Sequence, residues 1–369
     1  MQKLNNFKKF RILFVAVLSF LLGSMLTINL TPIERTCRVK DTDREHNIMK
    51  NSKLKSPELI ILILSAPKNL NKRNSIRSTW ITLGSQFGKI NPIGYTFKHY
   101  FVIGNFNTND DISSELYNEQ NKFSDILLLP VYDNYKNLTL KVLKSFQWLS
   151  EQHDYGLDFK YALKCDDDSF INLNSVLIEI HKMENMLFNS NLYFPLNLSP
   201  EKLNHFITTS VQSNGDLPVE NLSIFWGYFN GNAKIQTRGK WKEPDWKICD
   251  RYVPYALGGG YIMSKKLVLF IGRNAADLRM FKSEDISVGL WLSSVNNIIR
   301  IHDIRFDTEW ISRGCKNYHL ISHGVSTVEM RVRYENLLAN KQLCTEESIK
   351  RDFYLYNWSL PPSQCCQAS

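Results

Sequence analysis

The sequence predicts an α/β domain built on an open, mostly parallel sheet and preceded by one transmembrane helix. Three observations carry that prediction. Apolar strand-like runs alternate with helix-like segments from residue 59 onward. Residues 12–33 contain no charged side chain. Across 369 positions, 43% hydrophobic and 22% charged residues can fill a core without suggesting disorder.

The uncharged run at 12–33 is long enough to span a bilayer as a helix, and it follows Lys3, Lys8, Lys9 and Arg11. Cations before the span orient residues 1–11 to the cytoplasm and the bulk of the chain to the lumen, a type II topology. A cleaved signal peptide is the alternative, but its apolar region would be shorter and would lead to a small-residue cleavage site. Residues 34–57 are polar, lysine-rich and aperiodic, as in a stem, and residues 58–369 form the lumenal domain. There LIILIL at 59–64 reads as a buried strand, followed by a turn at Pro67 and a helix ending near Trp80. HYFVIG at 99–104, DILLLP at 125–130 and KYALK at 160–164 read as further strands. Helical patterns lie between them at 113–122 and 138–151, the second with Leu138, Val142, Leu143, Phe146 and Leu149 on one face. The Asn/Ser/Pro-rich stretch at 185–221 breaks the rhythm and reads as a surface insertion.

A net charge of +9 raises nucleic acid as a partner, but the basic residues are scattered and no basic strip with interleaved aromatics stands out, so none is expected. The seven cysteines lack zinc-like spacing and suit a lumenal, disulfide-permissive setting. Their odd number leaves one over; Cys37, close to the membrane, is a candidate for linking two chains into a homodimer, or a free thiol. Sequons at Asn137, Asn197, Asn221 and Asn357 mark glycosylation sites of a secretory-route protein, although Asn137 also opens a helix and could act as its cap.

In an open α/β sheet, ligands bind beyond the carboxyl ends of the strands. KCDDDSF puts Asp166, Asp167 and Asp168 at such an end. Adjacent carboxylates repel one another, so a divalent cation bridging to a nucleotide diphosphate would suit Asp166 and Asp168; a solvated acidic loop is the alternative. Arg73 and Arg77, one helical turn apart after the first strand, are placed to grip a base, ribose or phosphate, or to line a solvated face. Trp80 is a core residue or a stacking surface for a base. In PYALGGGYIMS, Gly258, Gly259 and Gly260 allow a ligand close to the backbone, with Tyr252 and Tyr255 alongside. Glu284 and Asp285 open an apolar helix, where they favour its dipole whether or not they act chemically. His323 follows a strand-like run and is a ligand or a structural histidine.

Taken in order, SAPKNLNKRNSIRSTW, NYKNLTLKVL, LKCDDDSF, YALGGGYIMS and EDISVG resemble the β-1,3-glycosyltransferase family of the Golgi. RFDTEWISRGC at 305–315 and YNWSLPPSQCCQ at 356–367 are similar to its galactosyltransferase II branch, which adds the second galactose of the glycosaminoglycan linkage tetrasaccharide. Cys165 and the length of 185–221 depart from the family pattern. The resemblance implies a glycosyltransferase A-type, Rossmann-like fold in a Golgi type II membrane protein. It also implies UDP-galactose as donor, Mn²⁺ as cofactor, inversion at the anomeric carbon and a galactosyl-xylosyl acceptor on a proteoglycan core protein. It makes Asp166, Asp168 and His323 the metal ligands and Asp285 the base. Beside it, residue type and position make Arg73, Arg77, Asp166 and Asp167 the candidates for the donor, and Trp226, Tyr252, Tyr255, Gly259 and Glu284 those for the acceptor. A relative with another donor or acceptor, such as an N-acetylglucosaminyltransferase, and a catalytically silent binding protein are the competing readings.

Overall fold

A computed structural model describes residues 17–20, 22, 56–90, 94–106, 108, 110–188, 207–209 and 222–366. Residues 17–20 and 22 are helical. Otherwise the predicted tail, span and stem, with Cys37, lie outside the described residues, as does most of 189–221. Among the described residues, no helix is long and apolar enough to cross a membrane. Lys55–Ser369 forms one compact unit.

Its centre is β1 (Leu59–Leu64), buried along its whole length. Successive side chains on a strand point to opposite faces. Here Leu59, Ile61 and Ile63 enter one hydrophobic cluster, while Ile60, Leu62 and Leu64 enter another. Cover on both faces is why the run is continuously apolar rather than alternating. Parallel pairing joins β1 to β2 (Phe97–Gly104) on one side and to β4 (Tyr161–Asp166) on the other, with β3 (Ile126–Leu129) beyond β2. The second half of the sheet is mixed. β8 (Tyr255–Ser264) runs antiparallel between β4 and β7 (Ser223–Asn230), β9 (Ile298–Asp303) is parallel to β7, and β6 (Ile207–Thr209) closes the edge antiparallel to β9. The eight-stranded order is therefore β3-β2-β1-β4-β8-β7-β9-β6.

The helix after β1 is longer than its sequence suggests. α1 (Leu70–Ile76) continues through a π-helical turn at Arg77–Ile81 into α2 (Thr82–Ile90), rather than ending near Trp80, which is wholly buried in the core. α3 (Asp110–Phe123) and α4 (Leu138–Asp154) fill the predicted helical stretches. α4 packs Val142, Leu143, Phe146 and Leu149 with Leu267, Val268 and Ile271 of α6 (Lys265–Arg273) on one sheet face. α5 (Leu173–Phe188) covers the other face with Leu173, Val176, Leu177, Ile180 and Met183. The stretch from 185 thus begins as the end of α5, and its residues 207–209 supply an edge strand.

The glycine-rich YALGGGYIMS is β8 itself, in the middle of the sheet. Glycines in its middle remove side chains where other groups press against the sheet. A β-carbon on Gly258 would meet the Glu284 carboxylate at 2.3 Å, and one on Gly260 the Ile321 side chain at 2.8 Å. A small second sheet, β10 (Phe306–Asp307), β11 (Ile321–Ser322) and β5 (Phe170–Ile171), lies beside this strand. Two further helices complete the unit, α7 (Glu284–Trp291) and α8 (Thr327–Asn340), the latter opened by a capping box between Ser326 and Glu329.

Candidate active site

The end of β4 carries the acidic triplet, and each of its aspartates has different surroundings. Asp167 is buried and saturated: its carboxylate accepts from Ser65 Oγ at 2.8 Å, Asn69 Nδ2 at 2.7 Å and Lys72 Nζ at 2.8 Å. It fastens the triplet to the loop after β1. The expected direct contact of Asp167 with a donor is therefore replaced by a bracing role, and the cation brought to the site is Lys72, also 3.5 Å from Asp168.

Asp166 and Asp168 converge on His323. The imidazole Nε2 stands 3.6 Å from Asp166 Oδ2 and 3.3 Å from Asp168 Oδ1, and the three potential ligand atoms lie within 4.8 Å of one another. Pairing of β11 with β5, Ser322 opposite Phe170, delivers His323 to the residues just after the triplet. The His323 N–H donates to the Asp307 carbonyl and the Val325 N–H to that of Asp168, which fixes the turn. Gly259 makes room for the ring: a β-carbon there would sit 2.6 Å from the His323 Cβ.

His323 Nδ1 lies 3.3 Å from the Glu309 carbonyl; a ring proton donated there leaves the Nε2 lone pair facing the carboxylates, whose charges in the absence of a cation favour the protonated ring instead. Asp168 Oδ1 is buried without a hydrogen bond of good geometry. Two carboxylates and an imidazole nitrogen converging on one point, with a buried Asp168 oxygen that lacks a well-formed hydrogen bond, fit a divalent cation.

A second group of carboxylates meets this one through Lys164. This lysine is wholly buried, and its ammonium donates to Asp166 Oδ1 at 3.0 Å, the Gly258 carbonyl at 2.6 Å and Glu284 Oε1 at 2.8 Å. All three N–H groups are thereby used. Glu284 belongs to this buried ion network, not to an open acceptor surface. Beside it, Asp285 accepts from the Gly258 N–H at 3.3 Å, the Ile286 N–H at 2.8 Å and the Ser283 hydroxyl. Burial, and then the Glu284 charge, push the Asp285 carboxyl up to about 7 despite those donors. A carboxylate poised near neutral pH, one residue from an ion network that reaches a metal-type cluster, has the character of a general base.

Other predicted residues have different work. All five N–H groups of Arg73 are engaged, by Glu119 through Nε and Nη2, Ser65 and Ala66 through Nη1, and Pro67 through Nη2. Arg77 pairs with Asp125, Glu119 and Asn74 and is flanked by the Phe101 and Phe123 rings. These guanidiniums stabilise the helix–strand junction, where Arg73 has no N–H left to offer a nucleotide. Trp226 is a core residue whose indole N–H donates to Asp303. Tyr252 and Tyr255 are buried with Trp246, Phe281 and Ile286, so they offer a sugar no face. Gly259 acts by admitting His323. Lys72 and Lys164 are site residues beyond those the motifs single out; the signal for Lys164 is a lysine inside an apolar strand, which burial allows only with paired charges.

Asn137 is half-buried, with its side-chain amide donating to the Tyr132 carbonyl, and Asn357 is exposed. Asn197 and Asn221 lie outside the described residues. Cys315 and Cys344 form a disulfide, as do the adjacent Cys365 and Cys366, while Cys165 is buried and free and Cys249 exposed and free.

The pattern described as Galactosyltransferase matches residues 71–303. Over 310 residues the chain is 36% identical to Beta-1,3-galactosyltransferase 6 of Mus musculus, covering 84% of this chain and 82% of the mouse protein. Hydroxyproline O-galactosyltransferase GALT5 of Arabidopsis thaliana is 27% identical over 290 residues, 78% of this chain but only 36% of the longer plant protein. Among solved structures, a glycosyltransferase involved in the glycosylation of the major capsid of PBCV-1 aligns with 76% of this chain and 99% of that chain, at 13% identity and a TM-score of 0.34. That last likeness is too slight to carry an argument. With the family pattern over more than half of its length and the identity to the mouse enzyme over most of it, this chain belongs to the galactosyltransferase family, as a β-1,3-galactosyltransferase.

Proposed function

We propose that the chain transfers galactose from UDP-galactose to the 3-hydroxyl of a β-galactosyl-xylose acceptor in the glycosaminoglycan linkage region, with inversion and with Mn²⁺ as the cation. One observation carries the chemical part: the Asp166, Asp168 and His323 cluster is joined through Lys164 and Glu284 to the Asp285 base. The acceptor is supported by the 305–315 and 356–367 motifs and by the identity with the mouse enzyme.

In a single inverting displacement, Asp285 takes the proton of the acceptor hydroxyl as its oxygen attacks the anomeric carbon, and the bond from that carbon to UDP breaks on the opposite side. A divalent cation held by Asp166, Asp168 and His323 would neutralise charge on the diphosphate. Lys164 keeps Asp166 and Glu284 in fixed positions, and the Ser283 hydroxyl and Gly258 N–H orient the Asp285 carboxylate. The cations before residues 12–33 support a type II Golgi membrane protein, which protease protection of tagged termini would test.

The function is tested by incubating the purified protein with UDP-galactose, Mn²⁺ and a β-galactosyl-xyloside, then determining the linkage by NMR. A β-1,3-linked digalactosyl xyloside is expected. Transfer only from UDP-N-acetylglucosamine, or only to another acceptor, would replace this reading with another family activity. Absence of both transfer and UDP-galactose hydrolysis would favour a silent binding protein.

A further inference from the structure

Three aromatic rings converge where none of the roles above uses them. Tyr135 opens the short 3₁₀ turn before α4, Trp241 follows Lys240 in the β7–β8 loop, and Trp310 lies in the loop after β10. The Lys240 ammonium sits 5.0 Å from the Tyr135 ring centre, 4.2 Å from that of Trp241 and 4.3 Å from that of Trp310. The two indoles meet edge-on, 5.5 Å apart. This is no core cluster: Trp310 is 69% exposed and Tyr135 41%. Among the described residues no carboxylate forms an ion pair with Lys240. Large rings left open to solvent around a lone ammonium lose apolar burial that a core would recover, so packing does not explain the arrangement.

Each ring is tied to the reaction site. Glu309, next to Trp310, presents its carbonyl to His323. Glu243, two residues after Trp241, accepts the backbone N–H groups of Lys282 and Ser283, which lead into Asp285. The Tyr135 phenol is raised by burial and then by the charges of Glu284, Asp285 and Asp166, in that order. The backbone links place the cluster beside both the His323 side of the site and the segment that carries the Asp285 base, while the outer flank of the carboxylates is held by Lys72. A general base must lie within hydrogen-bond reach of the acceptor hydroxyl, so a ligand on this side is the acceptor.

A pyranose offers C–H patches that suit an aromatic face and hydroxyl oxygens that accept from an ammonium. We propose that Tyr135, Lys240, Trp241 and Trp310 form the acceptor-sugar subsite, the indoles covering the C–H face of a pyranose and Lys240 donating to its hydroxyl oxygens. This assignment rests on the galactosyl-transfer reading and relocates the acceptor surface from the buried Trp226, Tyr252 and Tyr255.

The test uses the full-length protein with the substitutions Trp310→Ala and Lys240→Ala, both at exposed side chains, and Tyr155→Ala, 86% exposed elsewhere, as control. The KM for a β-galactosyl-xyloside is expected to rise about tenfold in the first two and to stay unchanged in the control, with the KM for UDP-galactose unaltered in all three. Wild-type acceptor KM in both Trp310→Ala and Lys240→Ala would overturn the subsite while leaving galactosyl transfer standing. If the wild type transfers nothing to the xyloside, the transfer reading fails, and saturation-transfer NMR then judges the subsite. Saturation passing from the protein to the xyloside and lost in Trp310→Ala upholds it, and no saturation of the xyloside by the wild type overturns it.

Discussion

Asp285 shows how surroundings decide the role of a single side chain. The sequence leaves an acidic residue at a helix start open to a purely structural reading, since the dipole alone favours it there. Burial beside Glu284 is what lifts its proton affinity to about 7. Two consequences follow for Asp285→Asn. Turnover should fall about 10²- to 10⁴-fold, and the wild-type kcat/KM should rise with pH through about 7, as the carboxylate form appears. Stability moves the other way. Between the ordinary carboxylate value near 3.9 and about 7, the folded protein keeps a proton that the unfolded chain releases, so deprotonation destabilises the native state as pH rises. Asparagine never ionises, so Asp285→Asn should melt no lower than wild type at pH 7.5. A calorimetric scan there distinguishes lost chemistry from lost fold. The arginines teach the converse lesson. Arg73 and Arg77 stand in a spacing that suits a ligand, but their partners Glu119 and Asp125 lie on distant segments that no local reading identifies.

At the scale of elements, the first half of the sheet was legible because strands covered on both faces must be apolar throughout, and helices between them show a period of 3.6. β8 was not, because three glycines in a row signal a turn when read locally. Their reason is tertiary: Glu284, His323 and Ile321 occupy the space where side chains would be. Gly259→Ala should push the His323 ring off the carboxylates and weaken Mn²⁺-dependent UDP binding by about 10- to 100-fold, as losses around a metal ligand do. Titration calorimetry checks this, and far-UV circular dichroism should remain that of wild type. Aromatic positions failed for a similar reason. Residue type does not reveal whether a ring is buried, and Trp226, Tyr252 and Tyr255 are core while Trp310 stands open to solvent and Trp241 is half-buried.

Across the whole molecule, the site is assembled from segments far apart in sequence, which only the sheet order and the small second sheet bring together. The acidic triplet was readable as a unit, but its convergence with His323 depends on the pairing of β5 with β11. The Cys315–Cys344 disulfide closes a 29-residue separation that contains β11, His323 and α8. Restricting such a loop in the unfolded chain is worth about 3–4 kcal/mol. Cys344→Ser should therefore lower the melting temperature measurably and, by loosening the segment that carries His323, weaken cation-dependent UDP binding. Unchanged melting would mean that this closure contributes nothing to stability. The account as a whole stands on Asp166, Asp168 and His323 holding one cation for a sugar nucleotide while Asp285 serves the chemistry. The most direct measurement is titration calorimetry of UDP into wild-type, Asp168→Asn and Asp285→Asn proteins, with and without Mn²⁺. The account predicts that wild type and Asp285→Asn bind UDP only with the cation present and that Asp168→Asn binds it far more weakly. Equal UDP affinity in wild type without the cation, or undiminished affinity in Asp168→Asn, would contradict it.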